Sequence, residues 1–163
     1  MRLAPESHKQ IESFLREYLK DEGLKLPPVF IYSGRFARWL TETLSILAIT
    51  FGRRIFIAPK VIKLDESSHL TVPASLIAHE AVHVVQYHRA GVIGFFFSYL
   101  REYFGVLRKQ KQGWGKAART AAYFGIEHEL EAYAAEAAYA SWRPLQKMLE
   151  KQQESGVRIQ NPE

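Results

Sequence analysis

LIAHEAVHVVQYHRAG, residues 76–91, has the pattern of one helix up to its closing glycine. Leu76, Ile77, Val84 and Val85 recur at helical spacing. Upstream, Pro73 suits a first turn, where a missing N–H costs nothing, and Gly91 suits the end. The spacing predicts a helix over residues 72–90. His79 and His83 stand four apart in it, so their rings lie one above the other and can reach a single metal ion. Glu80 flanks that face without joining it, where a carboxylate can hold a water molecule and accept its proton.

A metal that does chemistry takes three protein ligands and keeps one position open. One arrangement supplies a third histidine six residues after the second, with a glycine between. Here those places hold Arg89 and Gln86, and His88 is one residue off, so that arrangement fits poorly. The other arrangement takes a glutamate from a later helix. The alanine-rich segment 117–140 offers Glu127, Glu129, Glu131 and Glu136 in a composition that favours helix. Glu127 and Glu131 share a face and Glu129 points elsewhere. Helix geometry alone does not choose between them, and such a run is also what a solvated face looks like.

Outward from the HEAVH helix, residues 5–22 read as an amphipathic helix carrying Ile11, Phe14, Leu15, Tyr18 and Leu19, begun at Pro5 and ended at Gly23. Pro27-Pro28 break the chain before a short strand, Val29 to Tyr32. A helix over 35–47 carries Phe36, Trp39, Leu40, Leu44 and Leu47. Two strands, 49–51 and 54–58, turn at Gly52-Arg53 and close at Pro59. Residues 94–107 read as helix, 109–115 as a connection, and Pro144 as a break before a last helical stretch to Lys151. The expected class is α+β: mostly helical, with a small sheet of three or so strands beside the HEAVH helix. One domain over 1–152 and a flexible tail over 153–163 are expected.

The chain has 163 residues, 47% of them hydrophobic, enough for one core. It has no cysteine, which excludes disulfides, thiolate metal sites and a cysteine nucleophile. The opening MRLAPESHKQIESF lacks the apolar stretch of a signal peptide. The longest apolar run, Gly91 to Leu100, is half of the roughly 20 residues a spanning helix needs. A cytoplasmic protein is expected, with release through a dedicated export system as the other course. The net charge of +5 is local: Arg101, Arg108, Lys109, Lys111, Lys116 and Arg119 face the single acid Glu102, and the rest of the chain balances. Residues 101–119 are thus a solvated basic stretch or a contact for a membrane or other acidic surface. No nucleic-acid partner is expected, because no nucleic-acid module accompanies the charge.

Taken together, VFIYS, ITFGRRIFIAP, LIAHEAVHVVQYHRAG and IEHELEAYAAE resemble a small gluzincin-type zinc metallopeptidase family, similar to the peptidase-like core domain of bacterial toxin and contractile-injection clusters. The resemblance covers residues 29–136 and implies a compact zincin-like domain. It implies zinc (Zn2+) held by His79, His83 and Glu129, with Glu131 as a second, non-ligating acid. Glu80 becomes the general base of a hydrolase acting on a peptide or protein substrate. Related gluzincins orient the first histidine with an aspartate four residues after the ligand, and that place holds Tyr133. Tyr133 is expected to be a catalytic residue, and Tyr133, His128, Tyr123 and Tyr87 are the candidate donors for the developing oxyanion. The resemblance also implies that the strand Arg54 to Ala58 borders the cleft, where an edge could pair with substrate, while its own pattern suits an edge or a buried strand alike. His8, His69, His88 and His128 read otherwise as surface or packing histidines. The bulky run Phe95 to Leu100 reads as core, or as the lining of an apolar pocket or a membrane contact. The alternative function is a zinc-fold interaction module of a toxin or injection system that cuts little.

Overall fold

The computed structural model describes residues 1–64, 70–109, 115 and 121–156. Helix α1 (Pro5–Tyr18) carries Pro5 in its first turn. It ends four residues before the expected point, because Lys20 adopts a left-handed backbone (φ 51°) and lets Asp21 N–H return to the Arg16 carbonyl. Gly23 has no part in that stop. Helix α2 (Arg35–Leu44) likewise stops early, at a left-handed Ser45.

Strands β1 (Phe30–Tyr32), β2 (Ala48–Phe51) and β3 (Arg54–Ile57) form a sheet in the order β1-β3-β2. Gly52, at φ 58°, opens the two-residue turn of the β2–β3 hairpin. β1 pairs parallel to β3 and β2 antiparallel to it. Of the two readings of residues 54–58 the edge is therefore corrected and the buried strand holds: β3 is central, with both sides paired. Residues 1–3 cover the outer side of β1, through Leu3 N–H to Val29 O and Ile31 N–H to Met1 O. The open edge is that of β2. In register, Phe51 faces Arg54 and Ile49 faces Phe56 as the hydrogen-bonded pairs of a two-residue hairpin, and Ala58 N–H to Leu47 O continues that parity. Ala48 and Thr50 consequently turn their N–H and C=O groups toward the open edge.

The inner face of the sheet, with Ile31, Ala48, Ile55 and Ile57, packs against α1 and the HEAVH helix in one core that also takes Phe14, Leu15, Ile77 and Val82. Burying side chains of this size contributes about 1.5–3 kcal/mol each. The outer face is different. Tyr32, Phe51, Phe56, Phe36 and Trp39 cluster with ring centroids 5.2–6.3 Å apart, while Phe36 and Trp39 are 60% and 59% exposed. The apolar residues of α2 thus face outward, and its buried positions are Ala37 and Thr41.

Helix α3 (Ala74–Lys109) holds HEAVH in its first half and is broken only at Gly91 (φ 70°, ψ 161°), a conformation reserved for glycine. The break carries Phe95 back over Tyr87 and His83, with ring centroids 4.0 and 6.2 Å away. Gly91→Ala is expected to lower stability by about 1–3 kcal/mol through backbone strain. Nothing stands within 4 Å of the added methyl, so a clash is not the cause. Urea unfolding would read this as a lower midpoint, and an unmoved midpoint would mean the break relaxes freely.

Strands β4 (Lys63–Leu64) and β5 (Leu70–Thr71) form a two-stranded ribbon that the sequence pattern did not suggest. Helix α4 (Glu127–Gly156) lies along α3 and starts later than expected, with Glu127 N–H capped by the Glu102 carboxylate at 3.0 Å. Residues 121–124 form a separate helical turn. Pro144 sits inside α4, and the helix continues through it and on to Gly156, past the expected start of the tail at residue 153. Lys111, Lys116 and Arg119 of the basic stretch, His69 and the end of the tail lie outside the described residues. The architecture is α+β and mostly helical, with the three-stranded sheet beside the HEAVH helix. Among the described residues no helix is long and apolar enough to cross a membrane.

Candidate metal centre

The first half of α3 presents His79 and His83 one turn apart, with ring centroids separated by 5.2 Å. Helix α4 brings Glu129 between them. Its Oε2 lies 3.7 Å from His79 Nε2 and its Oε1 lies 3.5 Å from His83 Nε2. Metal bonds of about 2.0–2.1 Å at tetrahedral angles put ligand atoms about 3.4 Å apart. The three groups are buried and their ligand atoms all lie within 4.8 Å of one another, so this set could hold a metal ion. Glu129 Oε2 is buried with no hydrogen-bond partner among the described residues, a cost that a cation would remove. Glu131 is on another face of α4, exposed, and Glu127 is exposed as well.

Electrostatics fit the same set. Burial opposes charge on Glu129, yet the imidazoles of His79 and His83 and the hydroxyl of Tyr123 beside it hold its carboxyl well below the usual carboxylate range. Tyr99, from the second half of α3, donates to Glu129 Oε1 at 3.0 Å. Burial works against a charged His83, but the neighbouring Glu129 and Glu80 carboxylates raise it overall. Glu80 lies beside the pair and is almost fully buried. Its Oε2 accepts from Thr50 Oγ1 at 2.7 Å, and burial pushes its carboxyl up. Thr50 escaped the sequence reading, since nothing in a strand 30 residues upstream marks it as a partner of Glu80.

The outer nitrogens of the two imidazoles meet different groups. His83 Nδ1 is 2.8 Å from Gln86 Oε1, and Gln86 Nε2 donates to Glu131 Oε2 at 2.8 Å. His79 Nδ1 is 3.4 Å from Glu136 Oε2, although the two are not aligned as a hydrogen bond. Glu136 is seven residues after Glu129, two turns along one face, so it occupies the side on which the resemblance asks for an aspartate. Tyr133 instead sets its ring edge against His79, with centroids 4.6 Å apart, and its hydroxyl is in hydrogen-bonding reach of Tyr123.

Above the site runs a mostly apolar cleft, walled by β2 and by Phe95, Phe96 and Tyr99 of α3. Glu80, His83 and Glu129 reach it, together with Tyr87 and Tyr123. Burial pushes the Tyr87 phenol up to about 12, and the Tyr99 and Tyr123 phenols are raised by burial and by the charge of Glu129, so all three remain donors. Tyr133 and His128 are not in that wall. His128 packs on Phe95 and faces Glu102 at 3.2 Å, His8 meets the Pro27 carbonyl and His88 is exposed. The run Phe95 to Leu100 is not one core block: Phe95 is buried, Phe96 lines the cleft and Phe97 is 71% exposed. The strand along the cleft is β2 and not β3.

Residues 11–91 match the eCIS core domain. The eCIS core match, about half of the chain, runs from within α1 through the sheet and the HEAVH helix and ends at the Gly91 break. His79, Glu80 and His83 lie inside it, whereas Glu129 lies beyond it. No curated protein and no solved structure matches the chain.

Proposed function

We propose that the protein is a metal-dependent peptidase, with a divalent ion, zinc by preference, on His79, His83 and Glu129 and with Glu80 as general base. The observation that carries this reading is the convergence of two buried imidazoles and a buried carboxylate at metal-ligand spacing, with a second buried carboxylate alongside that belongs to no ligand pair. A bound ion of this kind supplies Lewis-acid polarisation of a carbonyl and lowers the pKa of water. The protein's own residues do the rest. Thr50 fixes Glu80 by Oε2 and leaves Oε1 to take a proton from the attacking water and return it to the leaving amine. The open edge of β2 offers the N–H and C=O groups of Ala48 and Thr50 to an extended peptide backbone. Tyr87 and Tyr123, the cleft phenols among the donors considered, are placed to meet developing negative charge, and Tyr133 supports His79.

Hydrolysis of a peptide library, read as new termini by mass spectrometry, tests this reading in zinc-loaded and chelated protein. Cleavage only with metal supports it, and no cleavage in either state sinks it. The eCIS core match favours a second reading, an injection-system-associated module that binds metal and cuts little. Such a module partners with other components of the injection machinery, and it predicts zinc binding without cleavage.

Thr50→Val tests the hold on Glu80. Losing a bond to a charged acceptor is worth about 1.5 kcal/mol or more. Since that bond favours the ionised carboxylate, its loss raises the Glu80 carboxyl further. The acid limb of the pH–rate profile should move up by about one unit. A limb that stays in place would mean Thr50 does not govern Glu80.

A further inference from the structure

We propose that Gln86 and Glu131 form a relay that fixes the tautomer of His83 and so keeps its Nε2 free for the metal. The Gln86 amide can lie only one way round. Its Nε2 faces the Glu131 carboxylate at 2.8 Å and the His128 carbonyl at 3.3 Å, two partners that only accept. The amide nitrogen is therefore committed to that side, and its carbonyl is turned to His83 Nδ1 at 2.8 Å. A carbonyl cannot donate, so Nδ1 carries the hydrogen of the neutral ring. The lone pair is then on Nε2, 3.5 Å from Glu129 Oε1 and aimed into the site. Turn the amide over and the tautomer reverses, with a hydrogen where the metal bond should form. Glu131 is what opposes that turn. It is a positioning residue that acts through Gln86, which gives the second acid of the ELE run a role that needs no contact with metal. His79 has no such relay, since Glu136 approaches its Nδ1 directly. The inference rests on the metal-binding half of the function above and is independent of peptide hydrolysis.

Long-range proton–nitrogen NMR of labelled apoprotein reads the tautomer, and competition with a chromophoric chelator reads zinc affinity. In wild type, His83 is expected with its hydrogen on Nδ1. Glu131→Ala should bring in the Nε2–H form and weaken zinc about 10–100-fold, and Gln86→Leu should weaken it comparably. The double exchange of Gln86→Glu with Glu131→Gln puts a carboxylate at 86 that accepts both from His83 Nδ1 and from the amide at 131, gives up only the bond to the His128 carbonyl, and should restore both tautomer and affinity to within a few-fold. If Glu131→Ala fails to fold, the double exchange decides alone: an Nε2–H tautomer there overturns the relay. So would an Nε2–H ring in wild type, or unchanged tautomer and affinity in a folded Glu131→Ala. Wild type that binds no zinc would sink the metal reading instead, while the tautomer spectra would still judge the relay.

Discussion

Glu80→Gln is expected to slow peptide hydrolysis by about 10²–10⁴-fold while the metal stays bound. Glutamine has the same size and its carbonyl can still accept from Thr50 Oγ1, so the local packing holds. What it lacks is a site for the proton of the attacking water. Because Glu80 belongs to no ligand pair, zinc content should not change, and that separates loss of the base from loss of the ion. Initial rates on a library-derived peptide, measured beside elemental analysis, give the comparison. Equal rates in the two proteins would remove Glu80 from the reaction. If both are inert on every substrate, the interaction-module reading stands in place of the enzyme.

The second large effect is on the metal itself. His83→Ala or Glu129→Ala should abolish stoichiometric zinc and the stabilisation zinc brings. An ion bound to the native state alone contributes about 4 kcal/mol at a thousandfold excess over its Kd. In a domain of this size that is a Tm rise on the order of 10 °C. Thermal scans with and without zinc should show the rise in wild type and none in the two variants. Glu131→Ala should keep part of it, since the relay tunes His83 without supplying a bond. Full loss in Glu131→Ala with full retention in Glu129→Ala would exchange the roles of the two acids.

Helical spacing was enough to bring His79, Glu80 and His83 together, because four residues is a distance along one helix and needs no knowledge of the rest of the chain. The third carboxylate was a different problem. Glu127, Glu129 and Glu131 differ only in which way they turn on α4, and that is decided by how α4 lies on α3. Resemblance supplied Glu129 where periodicity could not. Thr50 and Gln86 gave no signal, as their roles come from contacts across the fold, although Glu136 could have been found by looking two turns beyond the ligand and not one. Strand order failed for a related reason. The Gly52 hairpin was legible, but the parallel pairing of β1 with β3 depends on the passage through α2, so the pattern of residues 54–58 suited edge and buried strand alike, and the edge is β2. The apolar stripe of α2 holds from Phe36 to Leu44, while Leu47 falls beyond the helix; periodicity says which residues share a face and not whether anything covers it. Pro144 marked no boundary, because the helix on both sides of it continues regardless.

One break in one helix sets a length. His83 and Tyr99 belong to the same α3, joined through Gly91, and Tyr99 must arrive at Glu129 from that fixed starting point. Each residue added to or removed from the second half before Tyr99 would swing its phenol by about 100° around the helix axis. The interval between the second histidine and that tyrosine is therefore a ruler. Drift can rewrite its letters, but a single insertion or deletion would cost the site its wall.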